Sequence, residues 1–92
     1  MKWVSLDTIG TTGSEGGVIL RDEEAGGCRI TLERLPDRFA ITCGIAGAFV
    51  HTAFCGSESV YDSMKQEISA FCERETTPEQ EYQFYEEFAM RY

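Results

Sequence analysis

Apolar and polar residues alternate with a period of two through the first 55 residues, a pattern typical of half-buried β-strands. Within residues 28–35, for example, Cys28, Ile30 and Leu32 share one face. Glycine-rich or proline-containing segments interrupt the alternation. Residues 44–47 permit either a tight turn or a glycine-rich bend, so the pattern predicts four or five strands. The predicted strands span residues 3–9, 18–24, 28–35, 39–45 and 47–55.

Side-chain parity predicts the register of the first hairpin, because a slip of one residue turns every side chain to the other face. A three-residue loop at 25–27 sets Leu20 against Leu32, apolar against apolar. A two-residue Gly-Gly loop would instead set Glu23 against Ile30, a charge against an apolar side chain. The three-residue loop is therefore predicted.

The second predicted hairpin turns at Pro36 and Asp37. Proline cannot adopt the positive φ of a type I′ turn, so a four-residue loop over 35–38 is favoured. The resulting register places apolar residues opposite one another on a single face, which predicts the core of the sheet. The predicted pairs are Leu32 with Ile41, Ile30 with Cys43, and Cys28 with Ile45.

Apolar residues recur at three- and four-residue spacing beyond the strands, which predicts helices over about 59–75 and 78–90. Ser57 or Ser59 can cap a helix that begins near Ser59, and residues 59–62 resemble a capping box. Thr77 followed by Pro78 is a strong helix-start signal. The predicted stripe of the first helix comprises Val60, Met64, Ile68, Phe71 and Cys72. The predicted stripe of the second, with Phe84 beside it, comprises Tyr82, Tyr85, Phe88, Ala89 and Tyr92.

Strands followed by helices indicate an α+β fold: an antiparallel β-meander of four to five strands, then two C-terminal α-helices packed on one sheet face. A length of 92 residues corresponds to a single domain spanning 1–92, with its strands within 2–55. Apolar residues make up 42% of the chain, which excludes a wholly disordered protein. No apolar run approaches the roughly 20 residues that span a bilayer, so no membrane association is expected.

The chain carries 8 Lys+Arg and 16 Asp+Glu, a formal net charge of −8. A net-negative surface repels phosphate, so nucleic acid is not expected as a partner. The acidic triplet 22–24 is predicted to be a solvated rim that limits edge-to-edge aggregation. Glu86 and Glu87 near the end of the last helix oppose the helix dipole, which favours either a basic partner surface or simple solubility.

Cysteines at positions 28, 43, 55 and 72 are separated by 15, 12 and 17 residues, with no C-x-x-C pair. This spacing is unlike a zinc site, so no metal or other cofactor is predicted. Residues 1–7 lack the apolar core of a signal peptide. A reducing, cytoplasmic location is therefore expected, with all four cysteines as free thiols.

His51 is the only histidine, and a cysteine thiolate beside it could act as a nucleophile. Cys55 shares its strand face, but residues i and i+4 of a strand lie ~13 Å apart. Cys43 approaches His51 only if residues 44–47 form a hairpin turn. A structural histidine is favoured, and a catalytic site formed by His51 with Cys43 or Cys55 is the alternative.

Residues 10–17 superficially resemble a phosphate-binding loop. A P-loop ends in Lys-Ser or Lys-Thr and leads into a helix whose N-terminus faces the anion. Here Glu15 lies inside the loop, and a predicted strand follows it. A hairpin loop without phosphate chemistry is the favoured interpretation.

Five aromatic residues lie within residues 82–92. Core packing is the simpler explanation; the other is contact with a further chain, through Phe84, Tyr85, Phe88 and Tyr92. The leading functional prediction is a small acidic protein-binding or regulatory module without catalytic activity, which binds a protein partner or forms a homodimer. The alternative is a small enzyme or ligand-binding protein with a pocket near His51 and a cysteine.

Overall fold

Five strands precede two helices in the computed structural model, which describes residues 1–92. The strands form one antiparallel sheet in the order β1-β2-β3-β4-β5, and both helices pack on the same face of it. This arrangement confirms the α+β prediction of a β-meander followed by two C-terminal helices. The elements are β1 (Val4–Ser5), β2 (Val18–Ala25), β3 (Cys28–Arg34), β4 (Phe39–Ile45), β5 (Phe49–Cys55), α1 (Ser59–Cys72) and α2 (Pro78–Arg91).

The core lies between the sheet and the two helices. The predicted register of β3 and β4 is confirmed, since Leu32 pairs with Ile41 and Ile30 with Cys43. The turn closes with a hydrogen bond from the Leu35 amide to the Arg38 carbonyl, 2.8 Å long. The buried cluster comprises Cys28, Ile30, Leu32, Ile41, Cys43, Ala53, Tyr61, Met64, Ile68 and Phe88.

The predicted register of the first hairpin is wrong. Ala25 pairs with Cys28, so the loop has two residues, and Gly26 and Gly27 both take a positive φ, of 51° and 84°. Positive φ at both central residues is the requirement of a type I′ turn, whose twist matches that of the flanking strands. The ladder shifts between Ile19 and Arg21, where β2 has one extra residue opposite β3. This bulge changes the face toward which the side chains before it point.

Charged side chains of β2 therefore face the helices, and α1 supplies their partners. Glu23 pairs with Ile30, and its carboxylate accepts a hydrogen bond from the Tyr61 hydroxyl at 3.0 Å. Lys65 Nζ lies 2.6 Å from the same carboxylate. The Arg21 guanidinium lies 4.2 Å from the centre of the Tyr61 ring. The two-residue loop is disfavoured on parity because it sets charged residues against apolar ones. The structure accommodates these charges because each of them is paired.

Residues 44–47 belong to a hairpin turn and not to a bend in one long strand. Ile45 pairs with Phe49 across the turn, and the Ala48 amide donates to the Ile45 carbonyl at 3.0 Å. Gly47 takes a φ of +75°, which favours glycine. The sheet consequently has five strands, and the turn brings β5 alongside β4.

The first strand is much shorter than the predicted 3–9, because only Val4–Ser5 joins the ladder. The chain nevertheless continues along β2 through separate hydrogen bonds. The Gly10 amide donates to the Ile19 carbonyl at 2.8 Å, and the Ile19 amide donates to the Thr11 carbonyl at 2.9 Å. The side of β2 away from β3 is thus covered by irregular chain.

The two helices begin differently. In α2, Thr77 and Gln80 form the complete capping box, as the sequence predicts. The capping box predicted from Ser59 is wrong, since Glu58 is the N-cap of α1 and its side chain makes no capping hydrogen bond. In addition, α1 ends at Cys72, three residues before the predicted end at 75.

Replacing Leu32 with Ala should lower the free energy of unfolding by ~2–5 kcal/mol, because the side chain is 1% exposed and its removal leaves a cavity. Glu24→Ala is the control, since Glu24 is exposed on the opposite face of the sheet. It should change stability by less than about 0.5 kcal/mol. Urea unfolding measures both values, and equal losses would contradict the assignment of the faces.

Candidate functional site

The hairpin places Cys43 directly opposite His51 in the β4–β5 ladder. Cross-strand partners have Cβ atoms about 4.5–5.5 Å apart, so these two residues are neighbours. Cys55 instead pairs with Phe39, at the other end of β5. Of the candidate catalytic residues, the fold therefore brings Cys43 and His51 together and leaves Cys55 apart.

The surroundings of this pair do not favour nucleophilic chemistry. Burial raises the pKa of the Cys43 thiol to about 12, so it remains protonated at neutral pH. The His51 ring lies 6.0 Å from Phe88 and 6.4 Å from Phe49. Its Nε2 atom is buried and has no hydrogen-bond partner. A protonated thiol beside a ring enclosed by aromatics is typical of a packed core.

Part of the acidic triplet is buried, so the prediction of a solvated rim is wrong. The side chain of Asp22 is 0% exposed. Its carboxylate accepts hydrogen bonds from Arg29 at 2.6 and 3.0 Å, from Thr8 at 2.7 Å and from Thr31 at 2.9 Å. Burial alone would raise the pKa of Asp22, but these hydrogen bonds outweigh it and hold the pKa below its ordinary value. Only Glu24 of the triplet is exposed.

The glycine-rich loop 10–17 encloses a carboxylate of its own chain. Glu33 is fully buried, and its side chain accepts hydrogen bonds from the Glu15 and Gly17 amides, each 3.1 Å long. A Cβ atom on Gly13 would lie 2.3 Å from the Glu33 carboxyl carbon, so glycine is needed for this approach. The backbone amides that resemble those of a phosphate loop are therefore occupied by Glu33.

The aromatic residues of α2 find most of their neighbours within the chain. Phe84 stacks on Phe71 of α1 with ring centres 4.0 Å apart, and Tyr85 stacks on Phe49 at 4.7 Å. Phe88 is fully buried. The suggestion that Phe84 needs a neighbour from another chain is therefore unnecessary.

Tyr82 is the aromatic residue of α2 that does not join this packing, and it is 65% exposed. On a helix, Tyr82, Tyr85 and Ala89 share one face through their i, i+3 and i+7 spacing. Tyr85 also packs edge-on against Phe71 of α1, with ring centres 5.7 Å apart, so only the Tyr82 end of this face is free of neighbours.

The outer edge of β5 has no neighbouring strand, because β5 is the last strand of the sheet. An edge strand presents a row of unpaired backbone N–H and C=O groups. Lysine, proline or a bulge commonly protects such edges, yet β5 reads Phe-Val-His-Thr-Ala-Phe-Cys and pairs regularly along its length. On the face away from the helices, Val50 is 73% exposed and Phe54 is 47% exposed.

A shallow groove of about 650 Å³ adjoins this edge. It is formed by the ends of β3, β4 and β5 and includes Cys43, Gly44 and Val50 but not His51. Glycine at position 44 lets β4 and β5 approach closely here, since a Cβ atom would lie 3.0 Å from the Phe49 carbonyl oxygen. The sequence carries a signal for this surface, since Phe49 and Cys55 lie on one face of residues 47–55 and Val50 and Phe54 on the other. Two apolar faces are typical of a strand that is either central or at an interface.

No cluster of three or more His, Cys, Asp or Glu side chains is arranged to hold a metal ion. Neither helix has the length and apolar character needed to cross a membrane. Comparisons with models of known families, with curated proteins and with solved structures gave no match.

Lowering the pH should destabilise the protein through Asp22. The pKa of Asp22 is lower in the folded state than in the unfolded state. Its contribution to the free energy of unfolding is therefore fully present above the unfolded-state pKa of about 3.9, and it is lost as the pH falls through the folded-state pKa. In Asp22→Asn the free energy of unfolding should therefore depend less on pH in this range. Glu24→Gln is the control, and an equal flattening in that variant would contradict the role of Asp22.

Replacing His51 with Phe should leave the free energy of unfolding unchanged or raise it by about 1 kcal/mol, because a buried nitrogen without a partner disappears. The new ring retains the contacts with Phe49 and Phe88. Thermal and urea unfolding measure the change. A loss above about 1 kcal/mol would show that a polar contact of His51 stabilises the fold.

Proposed function

We propose that this protein is a non-enzymatic protein-binding module that forms a homodimer through the outer edge of β5. The observation that carries the proposal is an unpaired, uncharged edge strand with exposed apolar side chains. Adding a strand to such an edge satisfies its free backbone groups, and the side chains of the two strands decide the partner. The sequence predicts a binding surface on the aromatic stripe of α2, whereas the proposal places it on β5, the strand beneath that helix.

A second copy fits this edge because β5 is complementary to itself. Let a two-fold axis pass through Thr52, with the two β5 strands antiparallel. Val50 of one copy then lies opposite Phe54 of the other, and the two Thr52 residues face each other. Apolar side chains thereby cover one another at both ends of the seam, the arrangement that stabilises cross-strand pairs. A single self-complementary patch is the requirement of a two-fold dimer.

Charge supports a second copy at this edge in spite of the net charge of −8. No Asp, Glu, Lys or Arg lies within β5, and the charge at the seam is the Arg38 guanidinium, 4.5 Å from the centre of the Phe54 ring. The adjoining flank of α2 carries Tyr82, Tyr85 and Ala89, with Glu81 and Glu86 at its margins. Because α2 packs over β5 through Phe88 and Tyr85, the same two-fold axis brings these flanks toward each other. The predicted role of Tyr85 is thus retained at the margin of the seam.

The enzyme alternative receives less support from the same residues. A thiol with its pKa raised to about 12 is a poor nucleophile, and the groove beside Cys43 does not reach His51. A cytoplasmic location remains part of the proposal.

Sedimentation velocity tests the dimer. Wild-type protein from about 1 to about 100 μM should shift from monomer to dimer, a range that detects dissociation constants of that order. Val50→Lys should remain monomeric, because two lysines would be brought into the apolar seam. Met90→Lys is the matched control, since Met90 is 87% exposed on α2, and it should dimerise like the wild type.

Cysteine cross-linking then tests the register. In a Cys55→Ser background, Thr52→Cys should cross-link to its own copy, whereas Val50→Cys should cross-link only when mixed with Phe54→Cys. Self-linking of Val50→Cys would mean a different register. A wild-type protein that stays monomeric throughout the concentration range would overturn the proposed function.

A further inference from the structure

The sulfur atoms of Cys28 and Cys72 lie 3.0 Å apart, although the residues are 44 positions apart in the chain. Cys28 begins β3 and is 2% exposed, while Cys72 ends α1 and is half-buried. Both are thiols in this structure. A disulfide bond is about 2.0 Å long, so a movement of about 1 Å brings the two atoms to bonding distance.

We propose that Cys28 and Cys72 form an intramolecular disulfide when the protein meets a low-molecular-weight disulfide such as oxidised glutathione. Burial and the neighbouring Cys28 raise the pKa of Cys72 to about 12, so only a small fraction of this more accessible thiol is ionised and the reaction is slow. That thiolate attacks the glutathione disulfide and forms a mixed disulfide, and one glutathione thiolate leaves. The Cys28 thiolate then attacks Cys72 Sγ and releases the second glutathione. Two protein thiols are oxidised to the disulfide, one glutathione disulfide is reduced, and the two thiol protons pass to the two leaving glutathione thiolates, which gives two glutathione thiols.

The placement of the pair explains why this bond would form in preference to others. Cys43 lies on β4 beside β3, where its cross-strand partners are Ile30 and His51 rather than a cysteine. Cys55 lies at the far end of β5, and its Sγ contacts the Ser57 carbonyl. Cys28 and Cys72, in contrast, contact each other directly across the boundary between sheet and helix.

The bond would fix the end of α1 to the start of β3. A disulfide stabilises a protein mainly by restricting the unfolded chain, and the effect grows with the length of the closed loop. Both cysteines lie away from the outer edge of β5. The bond lies within one chain and is identified by peptide mapping, so either proposal can fail without the other.

Tryptic mapping without reductant identifies the bond. The folded protein is incubated with excess oxidised glutathione, and the remaining thiols are then alkylated in denaturant without reductant, so that buried Cys43 also reacts, before digestion. Cleavage after Lys and Arg separates Cys28 in peptide 22–29 from Cys72 in peptide 66–74, and leaves the other two cysteines together in peptide 39–65. We expect peptides 22–29 and 66–74 to be joined, with two of the four thiols alkylated. We also expect the thermal midpoint to rise by about 10 °C or more.

Two variants supply the controls. Cys55→Ser should still form the bond and retain one alkylated thiol. Cys72→Ser should retain three, with no rise in the thermal midpoint on oxidation. Four alkylated thiols in the oxidised wild type, a link to peptide 39–65, a link between chains, or Cys72 left as a mixed disulfide would each overturn the proposal. Mapping of the wild type distinguishes these outcomes even if a variant fails to fold.

Discussion

Both helices cover the same face of the sheet, and this burial determines which face the segment before β2 covers and which edge stays open. Tyr61, Met64 and Phe88 complete the core with the inward side chains of β3 and β4. With both helices on that side, residues before β2 cover part of the opposite face, where they enclose Asp22 and Glu33. Nothing in the chain remains to cover the outer edge of β5. The surface from which we infer the function is thus a consequence of how the core is filled.

Local rules predicted a large part of this architecture from the sequence. The register of β3 and β4 followed from apolar parity, because Leu32 and Ile41 both had to face the core. The start of α2 followed from Thr77 and Pro78, since capping depends on adjacent residues alone. The register of β2 and β3 failed because the turn preference of Gly26 and Gly27 prevailed over side-chain parity. The shift between Ile19 and Arg21 then accommodated the difference.

The remaining features depend on contacts that the sequence does not reveal. Asp22 is buried because Arg29 and Thr8 reach it from separate segments. Phe84 packs inside the chain because α1 presents Phe71 beside it. The pairing of Cys28 with Cys72 depends on where α1 ends over the sheet, and the exposure of β5 depends on strand order. In each case the deciding neighbour is distant along the chain, so neither periodicity nor spacing could identify it.

Amide hydrogen exchange along β5, measured by NMR at low and high protein concentration, tests the proposed pairing most directly. In a regular antiparallel pair, alternate amides of β5 point toward β4 and the others point outward. We expect the outward amides to exchange rapidly in dilute protein and to become protected as the concentration rises, while the inward amides stay protected throughout. Outward amides that exchange rapidly at every concentration would contradict dimerisation through this edge.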